Sequence, residues 1–483
     1  MTVKGSVFLR NEFIAEGEVR LPGAHIGGQL DCTGGTFKNP PRKDIPDSGR
    51  ALSADGADVG GEVFLEGSFR AEGEVRLHGA RIGGNLLCDG GTFTNPPQEG
   101  LLESGNALSA TAVVVNGGIF LGHGFAADGV ILLSDARVGR FIDCTGATLR
   151  HPPNDRLGQP GIALFVDGVI IKGGIILGQG FASEGDLWLR GAQTGADLDC
   201  TGARFARLTA QGARIGGRLF LDGLLNVDNS TIDLKDTSAA ALVDDDRSWP
   251  HEGNLHLDGF VYNRIARGPR DPKKRLEWLA RQAEFTPQPY RQLAKVLREM
   301  GDDRSARTVL IEAGRREWEQ SHQSWFGHVS SWVLRLTIAY GVSPERAFWW
   351  LVGLTLTGTL LFGLGYLGGS MAPTERDAYA CFEKQGWPPR HYQAFNPFIY
   401  ALENSVPVLK LGQDSTWAPD PGPREQERFG EVNFTPWNWL ARAHPHTWVT
   451  PSLLRCYRWL QIVSGWILAT LFVAGVTGVV RRE

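Results

Sequence analysis

This chain of 483 residues has little cysteine, and none of it is paired in sequence. The 6 cysteines include no Cys-x-x-Cys and stand near no histidine pair. That excludes the usual spacing of a zinc site or a dithiol redox motif, and it fits a reducing compartment. An excess of one charge is missing too. Lys and Arg number 49 against 53 Asp and Glu, for a net charge of −4, so no basic footprint for nucleic acid exists. Residues 1–13 carry no apolar leader core, and the N-terminal half is expected on the side of the membrane where it is made. That half also lacks any 3.6-residue apolar periodicity. Its many glycines would each cost about 1 kcal/mol inside a helix, which excludes a helical fold there.

What is present divides in two. Most of the 62 glycines lie before residue 262, and every tryptophan except Trp188 lies after residue 245. The glycine-rich part repeats. Gly5-Ser-Val-Phe-Leu9 recurs as Gly61-Glu-Val-Phe-Leu65, Gly117-Gly-Ile-Phe-Leu121 and Gly173-Gly-Ile-Ile-Leu177. The step is constant at about 56 residues, a fixed period of the kind that marks a repeat architecture. A fifth copy, Gly217-Arg-Leu-Phe-Leu221, follows sooner. The shortfall, about 12 residues, matches a proline-containing loop that the first three copies carry and the fourth lacks, as expected of an insertion in a solenoid. Within a copy, apolar pairs such as Val63/Leu65, Val75/Leu77 and Ala80/Ile82 alternate across one polar residue, with Gly-rich corners between them. Alternation over two or three positions is a very short strand, and glycine turns the corner because it tolerates positive φ. About four such sides give a coil of about 22 residues, the unit of a parallel β-helix. Two coils and one loop fill the repeat. Residues 1–262 are therefore expected to form roughly ten stacked coils, a rod on the order of 45 Å long. The stretch Val75 to Cys88 resembles a pentapeptide-repeat-like β-helix, although several units depart from five-residue spacing.

The cysteines follow the same step, at Cys32, Cys88, Cys144 and Cys200. Stacking places them in a ladder with Leu65, Leu121, Leu177 and Leu221. Successive cysteines fall two coils apart, roughly 10 Å, beyond the ~7 Å Cα separation of a disulfide. They read as small core hydrophobes. No metal or cofactor is expected, and no catalytic set recurs on the rod. The outward charges read as solvated faces. The loops beginning Asn39-Pro40, Asn95-Pro96 and His151-Pro152 should share one edge, and insertions along one edge of a solenoid make a binding face for a protein partner.

Residues 263–325 change character. Asp271-Pro272 offers an N-cap and an N1 proline, Thr286-Pro287 opens a second helix, and Asp302-Asp303 a third. The pair of helices after Pro287 resembles a single TPR-like hairpin, expected to cap the solenoid. Residues 326–483 form the membrane part. Ala347–Leu367 and Trp459–Val480 are uncharged runs, each above the ~20 residues that span a bilayer core of about 30 Å. Arg335, Arg346, Arg481 and Arg482 flank them. The positive-inside rule then puts solenoid and C-terminus in the cytoplasm and residues 368–458 outside, in a multi-pass protein of the inner membrane. Cys381 and Cys456 both fall in that outer loop, where they are free to pair or not. Gly363-Leu-Gly-Tyr-Leu-Gly368 matches a dinucleotide fingerprint, but no strand precedes it. Such glycines let membrane helices pack closely.

Between the spans runs Asn396 to Gln413, a short amphipathic helix and a Gly-containing turn. The layout is similar to that of two-span tetrameric cation channels, with Tyr400-Ala-Leu and Leu411-Gly412 at the pore helix and filter. That resemblance implies a homo-oligomer and makes Glu403, Lys410, Gly412, Gln413 and Asp414 the pore-loop candidates. There is no Thr-Val-Gly-Tyr-Gly run, and Lys410 would place a cation at the filter. The whole arrangement, including the tail Gly465 to Gly478, resembles bacterial, chiefly actinobacterial, membrane proteins with β-solenoid front ends, a group that goes by the name of membrane-associated oxidoreductase. The name implies redox activity, and no residue set here carries it. The function expected is that of a non-enzymatic membrane-tethered scaffold or sensor binding an unknown partner; the alternatives are a gated ion-channel-like pore with a cytoplasmic regulatory solenoid and, by resemblance alone, an oxidoreductase.

Overall fold

The computed structural model describes residues 1–44, 48–98, 104–151, 161–321, 337, 345–385, 388–406, 408–420 and 449–477. It divides into two compact units, Met1–Ala313 and Gly314–Glu483.

The first unit is a stack of coils built from strands of mostly two to four residues, all paired in parallel. Register gives the repeat directly. Thr2 lies over His25, and His25 over Asp58. A short step, as in the Ser6 to Gln29 bond with a separation of 23, alternates with a long one, as in Asn85 to Gly118 with a separation of 33. The next pairs, Asp58 with Arg81 and Arg81 with Val114, continue the alternation. The long coil holds the loop. The loop therefore adds the difference between the two steps, slightly less than the gap before the fifth copy suggests. In the fourth copy both steps are short, from Ile170 to Gln193 and from Gln193 to Arg214, and the second is tighter than any bare coil before it. Loss of the loop and this tightening together account for the compressed spacing. Each of the first seven coils has four short strands, and the strands of the rod fall in three sheets of 20, 7 and 10. Two of the four sides merge because Arg214–Leu221 and Ser238–Asp244 run straight through a corner that glycine breaks elsewhere.

One apolar core fills the rod. The expected ladder of leucine and cysteine is present. Leu65, Cys88, Leu121, Cys144, Leu177, Cys200 and Leu221 are all buried, and the rungs are tied through their backbones to the next coil, as in Cys88 N–H to Phe120 O at 2.8 Å. A second ladder lies outside the alternating pairs. Phe13, Phe37, Phe69, Phe93 and Phe125 stack with ring centroids 5.1 to 5.3 Å apart, a spacing that suits aromatic pairs.

Three helices close the C-terminal end of the rod. Helix α1 spans Pro272–Ala280, with the Asp271 side chain accepting from Lys274 N–H as expected of the cap. Helix α2 spans Pro287–Glu299, where Thr286 makes no side-chain cap bond. Helix α3 spans Asp303–Ser321 and is capped by Asp302. Leu279, Tyr290, Leu293 and Val296 extend the solenoid core without a break, and Gln288 and Gln292 donate to the carbonyls of Phe260 and Tyr262. The seal is an ion pair. Arg275, fully buried, makes two 2.7 Å bonds to Asp244, whose carboxylate also accepts from Trp249 Nε1. The guanidinium lies between the rings of Trp249 and Trp278.

In the second unit, α4 (Glu345–Leu367) is long and apolar enough to cross a membrane; so is the range Pro451–Ala474 of the last helix. Between them come α5 (Arg376–Gln385), α6 (Pro397–Ser405), α7 (Gln413–Thr416) and an antiparallel strand pair, Met371–Pro373 with Trp417–Pro419. The last helix, α8, spans Pro451–Val476 with Thr450 as its N-cap. It begins at Pro451 rather than at Trp459, where the uncharged run begins, because Arg455 and Arg458 belong to its first turns. Cys456, expected in the loop, therefore lies on α8; it and Cys381 are both free thiols.

Candidate functional site

The loops of the rod do share one edge. Each leaves the 7-stranded sheet, after Lys38, Thr94 or Arg150, and enters the 10-stranded sheet at Arg50, Asn106 or Ile162. Their first residues do not face outward. Asn39 Nδ2 donates to Arg50 O at 2.9 Å, and Asn95 Nδ2 to Asn106 O at 2.7 Å, so each asparagine ties the neck of its own loop. His151 takes the third neck position. It is 5 % exposed, its Nδ1 has no hydrogen-bond partner among the described residues, and burial lowers its pKa. Pro40 and Pro96 are partly buried, and Pro152 lies outside the described residues. Inside two loops the same latch recurs. Arg42 N–H donates to Ser48 Oγ at 2.7 Å, and Gln98 N–H to Ser104 Oγ at 2.8 Å. The next coil seats the necks with glycine. A Cβ on Gly73, at φ +119°, would sit 2.6 Å from Asn39 O.

Elsewhere on the rod a shallow groove of 380 Å³ runs past Trp188, Arg207, Gln211 and His256. The Trp188 ring is already covered by the Arg190 guanidinium at 4.0 Å, which Asp167 holds by a 2.7 Å bond from Nε. The cysteines offer no chemistry. Burial, aided by Asp31, pushes the Cys32 thiol up to about 12, and burial drives Cys88, Cys144 and Cys200 up as well, away from the thiolate that reacts. Among the described residues no cluster of three metal-ligating groups occurs.

The pore-loop candidates come together far more tightly. Helix α6 begins with Pro397 on N1 and Asn396 as N-cap, its Oδ1 accepting from Phe398 and Ile399. It packs on both long helices. A Cβ on Gly358 of α4 would lie 3.0 Å from Ala401 Cβ, and one on Gly465 of α8 would lie 2.2 Å from Ser405 O. Small residues thus let α6 slot between α4 and α8. Gly365 of the fingerprint-like run serves the same end, with Leu454 against it.

Glu403 organises the turn beyond α6. Its Oε1 accepts from Leu411 and Gly412 N–H at 2.8 and 2.9 Å, and Oε2 from Gln413 and Asp414 at 2.9 and 3.0 Å. Four successive amides therefore close on one carboxylate. Gly412 makes the bend, at φ 88°. Gln413, buried, accepts from Asn396 N–H and donates to Ala394 O, tying the turn back to the start of α6. The α6 carbonyls of Tyr400, Ala401 and Leu402 are engaged. Asn404 Nδ2 donates to Tyr400 O, Ser405 Oγ to Ala401 O, and Val406 N–H to Leu402 O. Gln461 of α8, fully buried, also donates to Ala401 O and Ser405 Oγ. Arg458 stacks over Tyr400 and bonds to Asn404 Oδ1 at 3.3 Å. Trp417 gathers Tyr366, Phe382, Tyr392 and Phe395 around it.

The return segment is the exception. Val408 is 86 % exposed, and Leu409, Lys410 and Leu411 are exposed beside it. The carbonyls of Val408, Leu409, Lys410 and Leu411 accept no hydrogen bond among the described residues. Glu403 is legible in the sequence as a pore-loop candidate, but its partners are not. They stand 8 to 11 positions further on, with no local spacing signature.

These elements define a β-solenoid protein with two helices long and apolar enough to cross a membrane and a short helix wedged between them. Beyond that class no particular relative emerges: no family model, no curated protein and no solved structure matches the chain.

Proposed function

We propose that the chain is a channel-like membrane protein. Several copies surround a passage lined by the segment after α6, and the solenoid stands in the cytoplasm as its regulatory arm. The observation that carries this is the depth of α6 joined to the open backbone just beyond it. Pro397 lies against Gly363, Ala401 against Gly358, and Ser405 against Gly465. Gly358 is nine residues from the C-terminal end of α4, roughly 13 Å at 1.5 Å per residue, about half of a ~30 Å core. Helix α6 is then a re-entrant half-helix. Backbone without helical bonds is tolerated at such a depth only where protein covers it or water reaches it. Among the described residues of one copy, the carbonyls of Val408 to Leu411 accept no hydrogen bond and their residues are exposed. A ring of copies supplies both cover and water, since neighbours bury the flanks and a central passage wets the carbonyls. The arginines at 335, 346, 481 and 482 favour the cytoplasmic placement of the solenoid.

Mass measurement of the full chain in detergent, followed by ion flux in liposomes, tests this. A closed ring of several copies with flux above that of empty vesicles is the expected result. A monomer without flux under varied voltage and pH refutes it.

A further inference from the structure

The segment that the proposed passage depends on carries one charge of its own. Lys410 is exposed and makes no ion pair among the described residues. The charges around it form no pair with it among the described residues. Glu403 is occupied by four backbone amides. Asp414, also exposed, donates its backbone N–H to that same carboxylate, and its side chain forms no ion pair with Lys410 among the described residues. The Arg458 guanidinium lies over Tyr400 and bonds to Asn404 and to the Asp414 carbonyl. Neither carboxylate of this turn forms an ion pair with the lysine among the described residues. The four open carbonyls flanking it are what a dehydrated cation would seek, and a tethered ammonium meets the same need.

We infer that Lys410 determines the charge selectivity of the passage, barring metal cations and leaving anions as the class admitted. This rests on the channel-like reading of the membrane unit. Rings of Lys or Arg set anion preference where rings of Asp or Glu set cation preference. Symmetry multiplies the effect, because every copy adds one ammonium at the same depth, in a region of low dielectric where charges act strongly. The Leu-Lys-Leu-Gly order supports the assignment, since the flanking leucines offer no side-chain group that could coordinate a cation in place of the lysine.

The test uses the full chain in liposomes, with potassium and chloride flux measured separately. The expected wild-type result is chloride flux with potassium flux at the level of empty vesicles. Lys410→Gln should raise potassium flux by at least about tenfold, and Lys410→Arg should leave it silent. Lys410→Cys should behave like the glutamine variant until an aminoethylating reagent restores the positive charge and closes it to potassium again. A negatively charged reagent should not close it. Potassium flux in the wild type equal to that of Lys410→Gln overturns the assignment while the passage stands. Absence of both fluxes in the wild type and in Lys410→Gln overturns the channel-like reading, and the inference falls with it.

Discussion

The two units solve the same problem in opposite ways. Both rely on backbone approaching backbone where only glycine fits, and both must satisfy polar groups away from water. In the solenoid each coil answers the one before it. The Cys32 amide meets Phe64 O, the Cys88 amide meets Phe120 O, and so along the rod. Helices α1 to α3 then finish the stack. In the other unit the short helix α6 has its carbonyls satisfied as far as Leu402, and among the described residues the carbonyls of Val408 to Leu411 beyond it accept no hydrogen bond. A repeat protein completes itself by adding copies along its own sequence. The second unit has no such repeat to add, and under the channel-like proposal other copies of the chain complete it.

The contrast can be broken at its two polar anchors, where the largest effects are expected. Asp244→Asn leaves Arg275 buried without its charge partner. It should cost about 3–5 kcal/mol, seen as lost hydrogen-exchange protection across residues 232–262 and α1. Replacing both partners by Leu and Met should recover much of that loss, because a buried pair often gives way to apolar packing without penalty. Protection equal to wild type in Asp244→Asn would show the seal to be ornamental. In the membrane unit, Glu403→Gln turns an acceptor for four amides into a group that can satisfy two at most. About 3 kcal/mol or more is expected, read as a lower melting temperature in detergent, with the solenoid's protection unchanged.

Glycine sharpens the comparison at a finer level. A Cβ on Gly83 would lie 2.2 Å from Gly60 O, and one on Gly358 would lie 2.6 Å from Gln461 Nε2. Gly353, on the same helix as Gly358, meets nothing within 4 Å. Gly83→Ala should therefore loosen the rod alone and Gly358→Ala the half-helix alone, each by about 1–3 kcal/mol. Gly353→Ala should be neutral or slightly stabilising, by up to about 1 kcal/mol. Equal losses in Gly353→Ala and Gly358→Ala would mean that close approach is not what selects glycine in α4.

The same contrast governs how much of each unit is legible in the sequence. The solenoid repeats its own evidence, so period, ladder and loop edge can all be read from residues such as Leu65, Cys88 and Leu121. The phenylalanine ladder cannot, because Phe37 sits in the middle of a strand whereas Phe13 and Phe69 precede theirs, so no fixed strand position marks it. The bonds of Asn39 and Asn95 across their own loop necks cannot be read either, because a side chain's inward turn leaves no mark in composition. In the other unit, Arg455 and Arg458 hide the start of α8. A window without charges cannot know that Arg458 will find Tyr400 and Asn404. The half-helix follows from its pattern, while the clamp of Glu403 on residues 411–414 depends on a fold-back that no periodicity announces.

The smallest effect separates the third loop neck from the first two. Asn39 and Asn95 hold their necks at any pH, whereas His151 is buried and titratable. Burial lowers its pKa in the folded chain, against the Asp128 charge that works to raise it. The unfolded chain then binds the proton first, at the ordinary value of about 6.5. Stability is full above that value and falls as pH drops through it toward the folded pKa, since stability rises with pH wherever the unfolded state holds more protons. Wild type should thus lose stability between pH 7 and pH 5 relative to His151→Asn, which restores at the third neck the residue found at the other two. The measurement is the difference between their melting temperatures at each pH, and parallel curves would show that the imidazole is already protonated, or as easily protonated, within the folded rod.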